Sequence, residues 1–440
     1  MTETVYRMIE LLGSVVAGVA VGTNLGLLHL MWMLLSGRLL ASRGAVIPGL
    51  AAMGLEADAV RRSWAALTYG RWETEGVVRA WERQVQQKGL WQAHRHGTYR
   101  PVAVDLVGFF RPRLKDCASK HYSPAAGKAL PAISVGLAVS VGQVGSMRVP
   151  VPRALVRLDA EQPSDSHLQA KLLHTVHGLL ADDEAVVADR GFKVKHMQAA
   201  QIHRYVVRGP RNFTARRAYL PTYKGKGRKP TKGEWVRPLP RWRKGKLIPA
   251  TPPDRVEQWT EGRLELRAEF WERLVSSDDS PQAPAFTCIV IHDPRYEHPL
   301  LVLTPLPVTG VHLRAFYCDR WPVEVIPLAA KQLLGASRQF VFAQDARYRL
   351  PELSLLAGAV LIYAAAAFPT VPTGFWDRHP QPSAGRLRRV LARTIFSSTW
   401  PVPPQLRRKQ SRTDHLPKGI AAHRRHNSST NPSSALSAPA

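Results

Sequence analysis

Acidic residues and cysteines are scarce in this chain. Its 440 residues include 33 Asp and Glu against 61 Lys and Arg, which leaves a formal net charge of +28. A protein with this charge is expected to attract polyanions, so nucleic acid or an acidic membrane surface is favoured as the partner. The three cysteines, Cys117, Cys288 and Cys318, are far apart in the chain. This spacing argues against a disulfide framework and against a Cys-rich zinc module, and it favours a reducing, cytoplasmic compartment.

Long apolar segments are also few. Residues 11–37 carry no charge and are long enough to span a bilayer, but several glycines dilute their hydrophobicity. Glu3 and Glu10 precede them, where a signal peptide would carry positive charge. A second uncharged run, residues 353–368, is short for a span. We therefore expect core helices and no membrane association, with a membrane-anchored basic protein as the rival that fractionation would test.

The order of patterns along the chain predicts an α/β sheet preceded by helices. Residues 1–95 show basic, amphipathic, aromatic-bearing helical spacing, which suits a DNA-binding helical domain, although a solvated helical face would look similar. From residue 99 short β-type runs alternate with helical spacing. Strands are predicted at 102–110, 132–141, 154–158, 184–189 and 205–207, with helices at 166–180 and up to 203.

A strongly basic segment, residues 208–250, interrupts this alternation. It holds one acid, Glu234, among many Lys and Arg, with aromatic residues interleaved. Basic residues can track phosphates while aromatic rings stack on bases, so we expect a DNA contact here, against the alternative of a solvated loop. The DNA-binding candidates in it are Arg216, Arg217, Lys224, Lys226, Arg228, Lys229 and Trp242.

After this segment the sheet pattern resumes. Residues 264–275 are predicted as a helix that closes the insertion, and strands follow at 286–291 and 300–303. Residues 336–400 are expected to be largely helical. Beyond Trp400 the chain is rich in Pro, Arg and Ser, and we expect disorder because so little apolar surface can be buried.

Several side chains in the second half could form a chemical site. On an ideal helix Tyr317, Arg320, Glu324 and Lys331 fall within about 60° of one another. A single Arg–Glu pair at this spacing is usually an ordinary surface ion pair. However, Asp105 and Asp189 are each predicted at the end of a central strand, so three carboxylates could converge.

The chemistry of three converging carboxylates points to hard cations. Oxygen ligands without Cys or His suit Mg²⁺ or Mn²⁺. Two such ions can activate a water or a 3′-hydroxyl and stabilise the leaving oxygen of a phosphodiester.

These residues resemble a known family. The spacing Tyr317-x2-Arg320-x3-Glu324-x6-Lys331 matches the YREK signature of DDE insertion-sequence transposases, and the run from Asp189 to Phe192 matches their DRGF motif. The resemblance covers roughly residues 100–350. It implies a ribonuclease H-like fold in which Asp105, Asp189 and Glu324 hold two Mg²⁺ or Mn²⁺ ions. Tyr317, Arg320 and Lys331 would then contact the DNA end, together with Arg190 of the DRGF motif.

Two departures from the family pattern leave alternatives open. Leu106 and Val107 follow the first aspartate where the family has small polar residues, so Asp116 is the alternative first acid. Pro327 lies inside the signature helix and would bend it, which affects the placement of Lys331.

The resulting expectation is an α/β protein with a ribonuclease H-like mixed sheet, an inserted basic domain and a helical N-terminal domain. Its parts would be a helical domain at 1–95, a catalytic core at 96–207 and 286–350, a basic insertion at 208–285, a helical region at 351–400 and a disordered basic tail at 401–440.

The expected function is transposition. The protein would bind the terminal inverted repeats of a mobile element, cleave the DNA and join the 3′ end to target DNA. A homodimer on DNA in the bacterial cytoplasm, associated with the nucleoid, is implied. The rivals are a ribonuclease H-like nuclease that never joins strands and a decayed DNA-binding protein without catalysis.

Overall fold

The computed structural model describes residues 3–20, 23–372, 374–395 and 406. The tail predicted as disordered, 401–440, lies outside the described residues apart from Leu406.

The first part of the chain forms a helical layer. The uncharged run 11–37 is divided between the first two helices, so it is not one continuous span. α2 is buried along most of its length, and α1 and α2 contribute to one apolar core with α6. The elements of this part are α1 (Glu3–Val16), α2 (Thr23–Leu35), α3 (Arg38–Ala41), α4 (Val46–Ala51), α5 (Ala57–Tyr69), α6 (Thr74–Lys88) and a short strand, β1 (Trp91–Ala93).

A mixed sheet follows, with helices on both of its faces. The central strands lie in the order β5–β4–β2–β6–β7, in which β5, β4 and β2 pair antiparallel and β2, β6 and β7 pair parallel. The elements are β2 (Arg100–Phe110), β3 (Lys120–Ser123), β4 (Lys128–Val144), β5 (Met147–Arg157), α7 (Asp165–His177), β6 (Glu184–Ala188), α8 (Val194–Ala199) and β7 (Tyr205–Arg208).

Strand β6 shows why this part of the sequence reads as an unbroken apolar run. Ala185 and Val187 belong to the core shared with the N-terminal helices, whereas Val186 and Ala188 pack in the core around α7 and α8. A strand buried on both faces has no solvent side, so its residues need not alternate in polarity.

The basic insertion continues the same sheet instead of standing apart from it. Beyond β7 the strand order is β15–β14–β13–β8–β9, with β12 paired to β13 and a separate β10–β11 hairpin. These strands are β8 (Ala215–Arg217), β9 (Trp235–Val236), β10 (Arg241–Arg243), β11 (Lys246–Ile248), β12 (Arg255–Glu261), β13 (Leu264–Ser276), β14 (Phe286–His292) and β15 (Leu300–Thr304).

The prediction of a helix at 264–275 is wrong, because this segment forms strand β13. Leu266, Ala268 and Phe270 alternate as buried residues, which is the period of a strand. The register then shifts between Trp271 and Leu274, where Arg273 has a φ of 51°. This bulge interrupts the alternation of buried residues. The buried residues directly before and after it, taken together, are spaced as they would be on one face of a helix.

The C-terminal part returns to helices. Its elements are α9 (Gly310–Cys318), α10 (Pro322–Leu328), a π-helical segment (Ala329–Leu333), α11 (Ala346–Ala367) and α12 (Ala384–Ala392). At Gly358 of α11 an added Cβ would lie 3.0 Å from the carbonyl oxygen of Ile326, so the absence of a side chain lets α10 pack closely. This close packing holds α10 over the sheet.

Helix α11 begins at Ala346, seven residues before the uncharged run at 353–368. With 22 residues it is the one helix among those described that is long and apolar enough to cross a membrane, but 89% of its most apolar window is buried within the protein. That burial is what a core helix shows.

A buried charge joins the helical layer to the sheet. Glu352 of α11 is 1% exposed, and both its oxygens accept hydrogen bonds of 2.8 Å from the Arg157 guanidinium on β5. Thr74, the first residue of α6, donates to Glu352 Oε2 at 2.6 Å. One carboxylate thus connects three elements that are distant in the chain.

We predict that Glu352→Ala lowers the free energy of unfolding by about 3 kcal/mol, because removing one partner leaves the others without their buried acceptor. Denaturant unfolding followed by circular dichroism measures this. As the control, Arg79→Ala breaks an exposed pair with Glu75 on α6 and should cost less than about 1 kcal/mol. Equal losses in the two variants would contradict the role of Glu352.

Candidate active site

The parallel pairing of β2 with β6 places two of the predicted acids side by side. Its register ends with Val104 opposite Ala188, so the next residues are Asp105 and Asp189. Asp189 follows the end of β6 as predicted. Asp105, however, lies within β2 and not at its end, because β2 continues to Phe110 in its pairing with β4. Both carboxylates therefore emerge where the parallel part of the sheet stops.

The signature side chains reach this point from above the sheet. The Tyr317 hydroxyl donates to Asp189 Oδ1 at 3.3 Å, at the end of α9. Arg320, whose side chain is 3% exposed, donates from Nη1 to Glu324 Oε1 at 2.6 Å and lies 4.0 Å from Asp189 Oδ2. The guanidinium thus stands between the acid after β6 and the acid of α10.

The electrostatics agree with this proximity. Burial raises the pKa of Asp105 to about 6, opposed by the hydrogen bond from its neighbour's N–H and reinforced by the negative charges of Glu324 and Asp189. Burial and the nearby Asp189 charge raise the pKa of Tyr317 to about 12. The Asp105 carboxyl therefore stays protonated up to about pH 6, and the Tyr317 hydroxyl stays protonated throughout the physiological pH range.

Lys331 approaches the same site along a distorted helix. After Pro327 the backbone widens into the π-helical segment, in which Leu334 N–H donates to Ala329 O at 3.2 Å. The Lys331 ammonium lies 5.3 Å from the Phe109 ring centre, where burial lowers its pKa and the Asp105 charge raises it. The side chain thus lies on the Asp105 side of the site despite the irregular winding.

The alternative first acid lies elsewhere. Asp116 is exposed in the connection after β2 and has a φ of 62°. Between the two candidates, Asp105 is the one in electrostatic contact with Glu324 and Asp189.

The basic candidates differ in how free their charges are. Arg190 is exposed beside Asp189. Arg217 is held by two hydrogen bonds to Asp254 and one to Glu272 O, the pattern of a structural arginine. Arg216 stacks on Trp235 with its guanidinium 3.9 Å from the ring centre. Four remaining candidates occupy an exposed loop: Lys224, Lys226, Arg228 and Lys229.

Trp242 lies on the β10–β11 hairpin and is 74% exposed. The hairpin turns through Lys244 and Gly245, with φ values of 48° and 73°. Two successive residues with positive φ form the tight turn that suits the twist of a two-stranded hairpin. The hairpin thus presents an unpacked aromatic ring among basic residues.

A cavity of about 310 Å³ is lined by two residues that lie close to Asp189, Arg208 and Tyr317, and also by the acids Asp293 and Glu297. Arg208, Arg211 and Arg314 line it together with Tyr317. Arg208 Nη1 lies 3.6 Å from Asp189 Oδ1. Two exposed rings, Tyr296 and Trp321, complete the lining, so the cavity combines guanidinium groups with open aromatic surfaces.

A second group of polar side chains, absent from the predicted site, includes Asp319, which precedes Arg320 in the chain. His94, His96 and Asp319 place their ligand atoms within 4.8 Å of one another and could hold a metal ion. In the described part of the chain this is the one such group, so Asp105, Asp189 and Glu324 are not packed as tightly. The His-x-His spacing at 94–96 is the only local signal for it, since Asp319 is more than two hundred residues away.

Comparison of the chain with models of known protein families gives no match, and comparison with curated protein sequences gives none either.

We predict that Asp105→Asn stabilises the metal-free protein above pH 6. Because its pKa is raised from 3.8 to about 6, this group's stabilising contribution is present below about pH 4 and is lost as the pH rises to 6. The free energy of unfolding of the variant should exceed that of the unmodified protein by about 3 kcal/mol at pH 7 and approach it below about pH 4, in thermal unfolding with a chelator present.

For the control, the change in stability at pH 7 should have the opposite sign. Hydrogen bonds from Arg100 hold the pKa of Asp183 at about 2, so Asp183→Asn should destabilise the protein at pH 7. A stability gain from Asp105→Asn that does not depend on pH would contradict the buried-carboxylate explanation.

Proposed function

We propose that this protein is a DDE transposase with a ribonuclease H-like catalytic core. The observation that carries the proposal is that Arg320 lies between Glu324 and Asp189, that Tyr317 contacts Asp189, and that the register of β2 and β6 places Asp105 next to Asp189. A mixed arrangement of five central strands covered on both faces, with Asp105 on β2 and Asp189 directly after the neighbouring β6, supports the fold assignment.

The acids fit divalent cations. Asp105 accepts one hydrogen bond, from the Leu106 N–H, and forms no ion pair with the described residues, although burial makes its charge costly. The donor set consists of carboxylate oxygens, which suits Mg²⁺ or Mn²⁺. Bound ions of this kind would supply activation of the attacking oxygen and stabilisation of the leaving oxygen. Asp105, Asp189 and Glu324 are the residues that would hold them.

Arg320 has two roles in this proposal, which are charge compensation and recognition of the DNA end. Its guanidinium compensates the charges of Glu324 and Asp189. It is buried and lies against the Trp321 ring, 4.4 Å from the ring centre, so its position is fixed by packing. A fixed guanidinium at this place suits recognition of a phosphate at the DNA end.

The surroundings support a DNA substrate. Arg208 and Arg211 line the cavity and would contact phosphates, whereas Arg314 is paired with Asp293 and Glu261. Trp321 and Tyr296 offer exposed rings for stacking. In this proposal the exposed loop that carries Lys224, Lys226, Arg228 and Lys229 and the hairpin that carries Trp242 belong to the same DNA-binding surface. We propose that it binds the terminal inverted repeats and target DNA, as a homodimer in the synaptic complex, in the bacterial cytoplasm.

We predict that Glu324→Gln abolishes strand cleavage while DNA binding stays within about twofold, because an amide keeps the shape but loses the charge that holds a cation. Cleavage and strand transfer are measured on a DNA fragment carrying the element's end, with Mg²⁺ or Mn²⁺. Asp182→Asn is the matched control, since Asp182 is exposed before the opposite end of β6 and should leave cleavage unchanged.

Two outcomes separate the rival functions. Cleavage without joining by the unmodified protein would identify a nuclease, and binding without any cleavage would identify a decayed transposase. Metal-dependent cleavage by Glu324→Gln would remove Glu324 from the site.

The basic loop generates a separate prediction. Replacing Lys224, Lys226, Arg228 and Lys229 together with Gln should reduce the slope of log affinity against log salt by about 0.9 for each phosphate that the variant no longer neutralises. Titration of labelled DNA at several salt concentrations measures the slope. Lys171→Gln, which removes a charge already paired with Asp159, should leave it unchanged. An unaltered slope in the fourfold variant would exclude the loop from the DNA-binding surface.

A further inference from the structure

The group formed by His94, His96 and Asp319 converges on a single point. His94 Nδ1 lies 2.8 Å and His96 Nε2 lies 2.7 Å from the same oxygen, Asp319 Oδ2. The two histidines belong to the segment after β1, and Asp319 follows the end of α9. Three ligand atoms from two distant segments therefore face one another.

The carboxylate in this group is incompletely compensated. Asp319 is fully buried, and its Oδ1 accepts no hydrogen bond from the described residues. The Arg148 Nε atom lies 3.6 Å from Oδ1, which is beyond hydrogen-bond range. Because a buried polar atom without a partner is costly, the free oxygen marks room for a further interaction at this carboxylate.

The far side of the His94 ring also favours a ligand role. His94 Nε2 lies 3.3 Å from Gln143 Oε1 on β4. A carbonyl acceptor at this nitrogen holds a ring proton on Nε2, so the Nδ1 proton that donates to Asp319 is the one that a bound cation would displace to solvent. Metal-binding histidines usually donate their other N–H in this way, which fixes the tautomer and the ring orientation.

We propose that His94, His96 and Asp319 bind a Zn²⁺ ion at a site separate from the three carboxylates of the candidate active site. Two imidazole nitrogens with one carboxylate oxygen form a donor set that zinc accepts and that Mg²⁺ disfavours. Tetrahedral ligands at about 2.0–2.1 Å from zinc are about 3.3 Å apart, so each of the two His–Asp separations needs to widen by about half an ångström.

The ion would position the signature residues. Asp319 is flanked by Arg320 and lies two residues after Tyr317, and both of these contact the carboxylate site. A zinc ion at Asp319 would tie the junction of α9 and α10 to the segment after β1, whose strand pairs with the edge of β4. It would act by holding this corner in place and would not touch the DNA.

The test is the metal content of the purified full-length chain. After incubation with Zn²⁺ and removal of free ion, mass spectrometry of the metal should find about one zinc per chain, and His94→Ala with His96→Ala should reduce this at least tenfold. Replacement by Co²⁺ should produce visible absorption bands of a site with nitrogen and oxygen ligands. His121→Ala is the matched control, because His121 also contacts one carboxylate, Asp165 at 2.8 Å, but has no second histidine there.

Two results would overturn the proposal. In the first, the unmodified protein fails to retain zinc when it is titrated against a chromophoric chelator. The three side chains would then be held together by hydrogen bonds alone. This measurement needs no variant, so a folding defect cannot obscure it. Equal zinc retention by the double variant and the unmodified chain would place the ion elsewhere. Asp189→Asn should keep its zinc, which separates this site from the proposed catalytic one.

Discussion

The register of one pair of parallel strands is the constraint on which the candidate active site depends. Because β2 and β6 pair up to Val104 and Ala188, the residues that follow them are both acids and are neighbours in space. A shift of one residue would turn every side chain of β6 to the opposite face. The apolar residues on both faces of β6 resist such a shift, so packing that has no chemical role determines where the carboxylates meet.

The second constraint is the burial of charge around Arg320. Four ionised or ionisable groups, Asp105, Asp189, Asp319 and Glu324, surround or adjoin one guanidinium that is almost inaccessible to water. Isolated charges of this kind would be costly. Arg320 reduces the cost of Glu324 and Asp189, whereas these two acids add to the cost of ionising Asp105. The arrangement also explains why the carboxylates are held slightly apart, since Arg320 lies between two of them. For the proposed function, side chains that are fixed in advance would favour binding of cations and a phosphodiester.

The sequence predicts part of the candidate site because the signals for those residues are local. The DRGF run at 189–192 and the spacing from Tyr317 to Glu324 are short-range patterns, and the contacts of Tyr317 with Asp189 and of Arg320 with Glu324 agree with them. The β13 segment was mistaken for a helix since a bulge at Arg273 combines two strand phases into a helical spacing. Arg217 looked like its basic neighbours, and only its contact with Asp254 in the folded chain separates it from them.

The sequence by itself determined the strong positive charge, the alternation of strands and helices and the candidate acids, because composition and periodicity are properties of neighbouring residues. The tertiary structure decided which strands pair, that the basic insertion extends the central sheet, and that His94 and His96 meet Asp319. These are contacts between residues far apart in the chain, and their energy comes from burial and register, which no local pattern records.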